Sequence, residues 1–387
     1  MFSSRIPANR RPNRLALAVA SARASGRALL DLTVTNPTTV GFNYPPTLLQ
    51  PLAAPAALTY SPQPFGLATA RAAVAHDYAR RGIEIATDRV VLTTSTSEAY
   101  SLLFKLLCTP AGDAVMVPIP SYPLFDHLTQ LDGIDMRSYP LEYYTRWTLD
   151  VDALERQWAR NVRAVLAVSP NNPTGSVLSP PEQAELDTWC AKRDAALILD
   201  EVFADFPLDG TARHTRQGPP LALTFRLGGL SKSAGLPQVK LGWIAVEGPA
   251  PLVNEALDRL ELICDTYLSV STPVQSAAPD LIAAGAAVRS QILERIRSNY
   301  ATLCACGRDF PSVEVLPAEA GWSAVMRVPS TRSEDDLVLE VLERDQVLVH
   351  PGFFFDFAHE AFLVVSLLTD RSVFERGVRA VMERVHD

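Results

Sequence analysis

A lysine set among glycines and small hydroxyl residues is the most chemically suggestive feature of the chain. The stretch Gly228-Gly229-Leu230-Ser231-Lys232-Ser233-Ala234-Gly235-Leu236-Pro237-Gln238-Val239-Lys240-Leu241-Gly242-Trp243 follows the apolar run Leu221-Ala222-Leu223-Thr224-Phe225. It reads as a tight loop that presents Lys232, with Lys240 held behind it. Desolvation and neighbouring cations lower a lysine into reactivity, so an imine between Lys232 and an aldehyde is within its chemistry. Three other places carry polar residues just after an apolar run. Thr94-Ser95-Thr96-Ser97 lies between Val90-Val91-Leu92-Thr93 and a helix, where free amides and the helix dipole would hold a phosphate; a plain helix cap is the simpler alternative. Ser169-Pro170-Asn171-Asn172-Pro173-Thr174-Gly175 rigidly fixes two side-chain amides, or is only a Pro/Gly turn. Asp200-Glu201 ends the run Leu197-Ile198-Leu199, and a carboxylate buried there without a partner is costly.

These places share one position in the fold that the periodicity implies. Helix and strand patterns alternate: helix Leu67 to Arg81, strand Val90 to Thr93, helix Glu98 to Leu107, strand Ala114 to Val117, helix Leu124 to Leu131, strand Arg163 to Val168, helix Pro181 to Lys192 and strand Ala195 to Leu199. Repeated β-then-α units with unbroken apolar strands imply a mainly parallel, doubly wound sheet covered on both faces. In such a sheet ligands sit at the carboxyl ends of the strands, where all four polar places fall. Near the N-terminus, Asn13 caps a short amphipathic helix ended by Gly26, and Ala28 to Val34 reads as a strand running into the turn Thr35-Asn36-Pro37-Thr38. Beyond Trp243 two long helical patterns, Pro251 to Leu268 and Ser271 to Cys304, lead to an alternating tail. The expected division is a large domain over 46–280 and a smaller α+β domain from 1–45 with 281–387.

Composition narrows the function classes. With 387 residues, 48% of them hydrophobic, the chain has ample material for a large buried core. The balance of 35 basic against 43 acidic residues, net −8, and no basic block longer than Arg10-Arg11 argue against a nucleic-acid partner. Cys108, Cys190, Cys264, Cys304 and Cys306 lack C-x-x-C spacing, which favours a reducing compartment over a disulfide frame and provides no metal knuckle. Arg10-Arg11 ahead of Leu15 to Ala20 imitates an export signal, but the amphipathic helix explains the same run, so the expectation is a cytoplasmic protein. No apolar stretch reaches the length of a membrane span.

Taken together, SPNNPTG, DEVFADF and S-K-x-x-G-L-P-x-x-K-x-G-W, in this order, resemble the pyridoxal-phosphate-dependent aminotransferases of class I/II, fold type I, over about Leu30 to Val385. The resemblance implies an aspartate-aminotransferase-like large domain with a smaller α+β domain, and a transferase moving an amino group from an amino acid to a 2-oxo acid. Lys232, preceded by Ser231, would carry pyridoxal 5'-phosphate as an imine, pass it through the pyridoxamine form, and shuttle the proton. Asp200 would pair with the ring nitrogen, Asn172 with the ring hydroxyl and the substrate, and Tyr122 would stack on the ring. Ser95, Thr96 and Ser97 would form the phosphate cup. Tyr60 would reach the phosphate of a neighbouring subunit, which implies a homodimer, and Thr35 would line the substrate.

Four positions depart from the family pattern. Phe203 stands where a tyrosine usually donates to the ring oxygen, Gly229 replaces a phosphate-binding serine, Lys240 replaces an arginine, and Val364 replaces the arginine that binds the substrate carboxylate. Arg327 and Arg5 are the candidates for a relocated cation, and Pro351-Gly352-Phe353-Phe354-Phe355 offers an apolar wall for an apolar or aromatic donor. Alternatives on the same fold are a lyase eliminating across a C–S bond and a cofactor-binding protein without turnover.

Overall fold

A computed structural model of the chain describes residues 2–7, 9, 11–209, 218–359 and 361–386; Arg10 of the basic pair lies outside them. The first half contains α1 (Arg14–Ala24), β1 (Leu30–Asp31), α2 (Ala68–Arg80), β2 (Val90–Thr93), α3 (Thr96–Leu107), β3 (Ala114–Ile119), α4 (Leu124–Asp132), β4 (Asp135–Tyr143) and β5 (Trp147–Leu149). It continues with α5 (Val151–Gln157), β6 (Val162–Val168), α6 (Pro180–Lys192), β7 (Ala196–Asp200), β8 (Thr224–Gly229), α7 (Leu230–Ser233), β9 (Gly242–Glu247) and α8 (Ala250–Tyr267). The last part holds α9 (Thr272–Gly307), β10 (Glu314–Val315), β11 (Ser323–Arg327), α10 (Glu334–Glu340), β12 (Val347–Leu348), β13 (His350–Pro351), β14 (Phe362–Ser366) and α11 (Arg371–His386).

The main sheet has eight strands in the order β2-β9-β8-β7-β6-β3-β4-β5. From β8 to β4 every pairing is parallel, and only β9 and β5 run against their neighbours. β2 and β7 are buried along their whole length, as strands covered on both faces must be. One face carries α3 and α8 over Val91, Ile198, Phe225 and Ile244. The other carries α6 over Leu197 and Leu199 and, further along, α2 and α9 over Leu92 and Ala245.

Local chemistry sets the helix starts. Ser95 accepts from the Glu98 amide at 3.1 Å while Glu98 returns to the Thr94 amide at 2.6 Å, and a full capping box of Ser179 and Glu182 opens α6. Asn13 caps α1 as the sequence implies, and Arg14 then ion-pairs with Asp335 and Asp336 on α10. α9 is a single 36-residue helix, about 54 Å long, so residue 281 lies inside it. A second, four-stranded antiparallel sheet, β10-β11-β14-β13, follows, while β1 pairs with β12.

Two expectations about elements are corrected. The strand expected over 28–34 is reduced to Leu30–Asp31, because beyond it the chain bonds to β14 and its neighbours by single contacts such as Ser366 N to Leu32 O. The glycines at 228 and 229 are not loop residues. They form the end of β8, which begins at Thr224, and Leu221 at the head of the apolar run is exposed. The reason is close approach: a Cβ at Gly228 would stand 2.5 Å from Trp243 Nε1, and one at Gly229 would stand 3.1 Å from the Leu241 carbonyl oxygen.

Candidate active site

Lys232 stands on the single helical turn α7, directly after β8. The turn is pinned from three sides. Leu230 N donates to Leu241 O at 2.9 Å, Ser233 Oγ donates to Gly229 O at 3.0 Å, and Arg289 of α9 donates to Ser233 O at 3.3 Å. Helix α9 also approaches the turn at Gly285, where a Cβ would come within 2.4 Å of the Ala234 side chain. Lys232 Nζ lies 5.7 Å from the centre of the Phe203 ring and 5.1 Å from that of Trp322. Burial lowers the ammonium below its ordinary range, and Asp200 opposes that shift.

Asp200 closes β7, one strand away in the parallel ladder, with Leu227 opposite it. Its carboxylate accepts from Tyr100 Oη at 2.8 Å and from the Val202 amide at 3.1 Å. Burial pushes it up despite these donors, so a cation placed against it would restore its charge. Glu201 points to the opposite face, as strand alternation requires, and lies between Arg81 at 3.1 Å and Arg226 at 2.6 Å. Burial alone would raise Glu201, but Arg226 and Arg81 outweigh it and hold the carboxylate below its ordinary range. The adjacent acids therefore divide: one faces the lysine, the other anchors the structure.

The two asparagines divide in the same way. Asn171 is buried and fixes its own turn, accepting from Thr174 Oγ1 at 2.9 Å and donating to Pro120 O at 3.4 Å. Asn172 is only partly buried, and its Oδ1 accepts from Ser323 Oγ of β11 at 3.3 Å. Pro120 begins the segment bearing Tyr122, which is 46% exposed, and Ser121 N bonds to Phe355 O at 2.9 Å. Ser95 uses its hydroxyl oxygen as the cap of α3, leaving the first amides of that helix and the hydroxyls of Thr96 and Ser97 for an anion. A Cβ at Gly242 would stand 3.0 Å from the Ser95 carbonyl carbon and from Thr93 Oγ1, so β9 meets this turn closely. Two residues earlier, Lys240 is exposed and held at φ +61°.

Not every candidate converges on the lysine. Arg327 is half exposed and ion-paired with Glu314 across β10 and β11. Arg5 is exposed and donates to Leu131 O at 3.1 Å, at the end of α4. Neither contacts Lys232, Asp200 or Asn172 among the described residues. Thr35 is exposed beside Val34, whose carbonyl accepts from Ser366. Val364 is buried in an apolar cluster with Trp147, Val325, Phe355 and Phe357, and it faces His350 and Val325 across the strands. Tyr100, Trp322 and Arg289 are neighbours of this site that the sequence reading passed over. Tyr100 alone left a signal, since it lies one turn into the helix that the Thr94–Ser97 turn opens.

This donor set fits pyridoxal 5'-phosphate. It combines a desolvated lysine, a carboxylate raised by burial, a helix N-terminus for a phosphate, and the buried donors Trp322 Nε1 and Ser121 Oγ, which have no partner among the described residues.

Comparison with known proteins agrees. The family model for aminotransferase class I and II matches residues 47–381. Glutamate-pyruvate aminotransferase AlaA of Haemophilus influenzae is 25% identical over 358 residues, covering 88% of this chain and 87% of its own. Nicotianamine aminotransferase A of Hordeum vulgare is 31% identical over 225 residues, 56% of this chain and 48% of its own, so the match spans about half of that relative. Among solved structures, an aminotransferase from Escherichia coli superposes with a TM-score of 0.87 at 21% identity, covering 100% of this chain and 99% of its own, and a Thermus thermophilus aspartate aminotransferase double mutant gives 0.85 at 21%, covering 99% of each. With the family model spanning nearly the whole chain and the same fold in these structures, the chain belongs to the class I and II aminotransferases, transferases that depend on pyridoxal 5'-phosphate.

Proposed function

We propose that this enzyme moves an amino group from an amino acid with an apolar side chain to a 2-oxo acid, with Lys232 as the cofactor-bearing and proton-carrying residue. The observation that carries the reading is the pairing of Lys232 and Asp200, both desolvated, at the ends of neighbouring parallel strands. When bound, pyridoxal phosphate supplies the electron sink. The chain's own residues would do the rest. Asp200, steadied by Tyr100, would keep a proton on the ring nitrogen, and Asn172 would orient the ring hydroxyl and the substrate. The α3 amides, Ser95, Thr96, Ser97 and Lys240 would hold the phosphate, with Tyr122 and Phe203 against the ring. Nζ, kept more readily as the free amine by burial, would take the substrate proton and return it. Tyr60, 73% exposed, is read as serving the site of a second copy, in a cytoplasmic homodimer.

The substrate's acid group is the open element of this site. Arg327 and Arg5 are engaged elsewhere, and Val364 lies in an apolar cluster, so neither arginine supports a relocated grip. Asn172 remains as a neutral donor, with Phe355 buried and bonded through its carbonyl to Ser121 beside Tyr122, and Phe353 and Phe354 exposed. The test is a donor screen on the loaded enzyme that pairs each apolar amino acid with its decarboxylated amine. Conversion of the visible band to the pyridoxamine band by acids supports the proposal. Faster conversion by amines sinks the amino-acid reading, pyruvate with ammonia means elimination, and no conversion means a binder.

A further inference from the structure

Trp322 is buried, 4% exposed, and its Nε1 has no hydrogen-bond partner among the described residues. A buried donor left unpaired is costly, so such a group is expected to find an acceptor when the site is complete. Its ring lies within 5.1 Å of Lys232 Nζ, and it meets Phe203 and Phe206 edge-on, with ring centres 5.4 Å and 5.1 Å apart. Phe203 itself has no polar atom to offer. Covalent geometry then limits what can reach the indole. A pyridoxal group attached through its aldehyde carbon to Nζ carries its ring oxygen on the adjacent ring carbon, so that oxygen lies beside Nζ wherever the ring is placed. Ser323, the next residue, bonds to Asn172, which keeps the start of β11 and therefore the indole against the same site.

We propose that the Trp322 indole N–H is the hydrogen-bond donor to the ring oxygen of the lysine-bound cofactor, filling the role that a phenylalanine at 203 cannot fill. The inference rests on Lys232 being the attachment point. A donor there stabilises the oxyanion and thus the deprotonated form of the linkage, so it lowers the pH at which the visible band changes. Trp322→Phe keeps the aromatic wall and removes only the N–H.

The test has two readouts that do not depend on turnover. Absorbance of the loaded enzyme is titrated for wild type, Trp322→Phe and the double variant Trp322→Phe/Phe203→Tyr. Losing one hydrogen bond to a charged oxygen is expected to move the transition upward by about one pH unit, and the added phenol to bring it back. Separately, the indole N–H resonances of the five tryptophans are recorded on wild type before and after adding pyridoxal 5'-phosphate, with Trp322→Phe assigning one of them. The Trp322 resonance is expected to move downfield on loading. Superimposable titrations, or an unmoved Trp322 resonance in an enzyme that shows the visible band, overturn the proposal. Failure of wild type to develop that band would instead overturn the functional reading.

Discussion

Lys240 bears a side chain in the left-handed region, at φ +61°, where a Cβ costs about 1 kcal/mol that glycine would not incur. Strain of this kind persists where the surroundings fix the backbone for another purpose, and the neighbouring close approach of Gly242 to the Ser95 turn is such a purpose. Lys240→Gly is therefore expected to raise the melting temperature of the cofactor-free protein while weakening pyridoxal phosphate binding about tenfold, since a charge-assisted contact is lost. If the variant binds as tightly as wild type, Lys240 is not at the phosphate. Lys232→Ala is expected to abolish the visible band, and borohydride reduction of wild type to place the label on Lys232; a label on Lys240 would reverse the assignment. Lys232, Asp200 and Asn172 could be singled out as candidates because each follows an apolar run or sits in a rigid turn, so chain order alone draws attention to it. Trp322 and Arg289 could not, because they come from β11 and α9, one to the Lys232 side chain and the other to the Ser233 carbonyl of its turn, and the only sequence trace of such contacts is their ordinary apolar or charged character.

The turn that carries Lys232 depends on helix α9 as much as on its own residues. Gly285 lies in the interior of that helix, where alanine would normally be favoured by about 1 kcal/mol, yet a Cβ there would stand 2.4 Å from the Ala234 side chain. Gly285→Ala is therefore expected to lower the melting temperature and slow borohydride-trapped labelling of Lys232; a stabilised variant with unchanged labelling would show that helix and turn can separate without effect. Glu201 ties β7 to Arg81, at the end of α2, and to Arg226 of β8. Its folded pKa lies below the unfolded value, so it contributes stability above the ordinary carboxylate range, and that contribution fades as pH falls through the folded value. Glu201→Gln should cost about 3 kcal/mol near neutral pH, and the difference from wild type should shrink below about pH 4 in denaturant titrations. A constant difference across that range would remove Glu201 from the acid response. The alternation of apolar strands and periodic helices was visible in the sequence from Val90 to Leu131 and from Arg163 to Leu199, while β4, β5 and α5 between them were not placed. The end of β8 was not, because Gly228 and Gly229 read as loop unless the Trp243 ring and the Leu241 carbonyl that crowd them are known.

Across the whole molecule, the exposed apolar side chains are not evenly spread. Tyr60 and Leu268 line one groove with Ser61, Pro62, Gln63 and Thr272, and Leu58, 90% exposed, lies two residues before Tyr60 in sequence. Large apolar side chains exposed close together, as Leu58, Tyr60 and Leu268 are, often mark a surface covered by another chain. A phenol exposed at 73% contributes little to its own subunit, which supports the reading that Tyr60 completes the phosphate site of a second copy. Sedimentation should then give a species of about twice the 42.2 kDa chain mass. Complementation tests the exchange of residues directly. Tyr60→Ala alone should lose cofactor on dialysis, and Lys232→Ala alone should show no visible band. In a heterodimer of the two, one site contains both defects while the other combines Lys232 of one chain with Tyr60 of its partner. Co-expression of the variants with different affinity tags, followed by tandem purification, isolates that heterodimer. It should retain the visible band through dialysis at about half the wild-type occupancy per dimer, because a two-fold arrangement rebuilds one of two sites. If Tyr60 acts within its own subunit, the only chain bearing Lys232 also lacks the phenol. The heterodimer would then lose its band as fast as Tyr60→Ala, and the shared site would be ruled out.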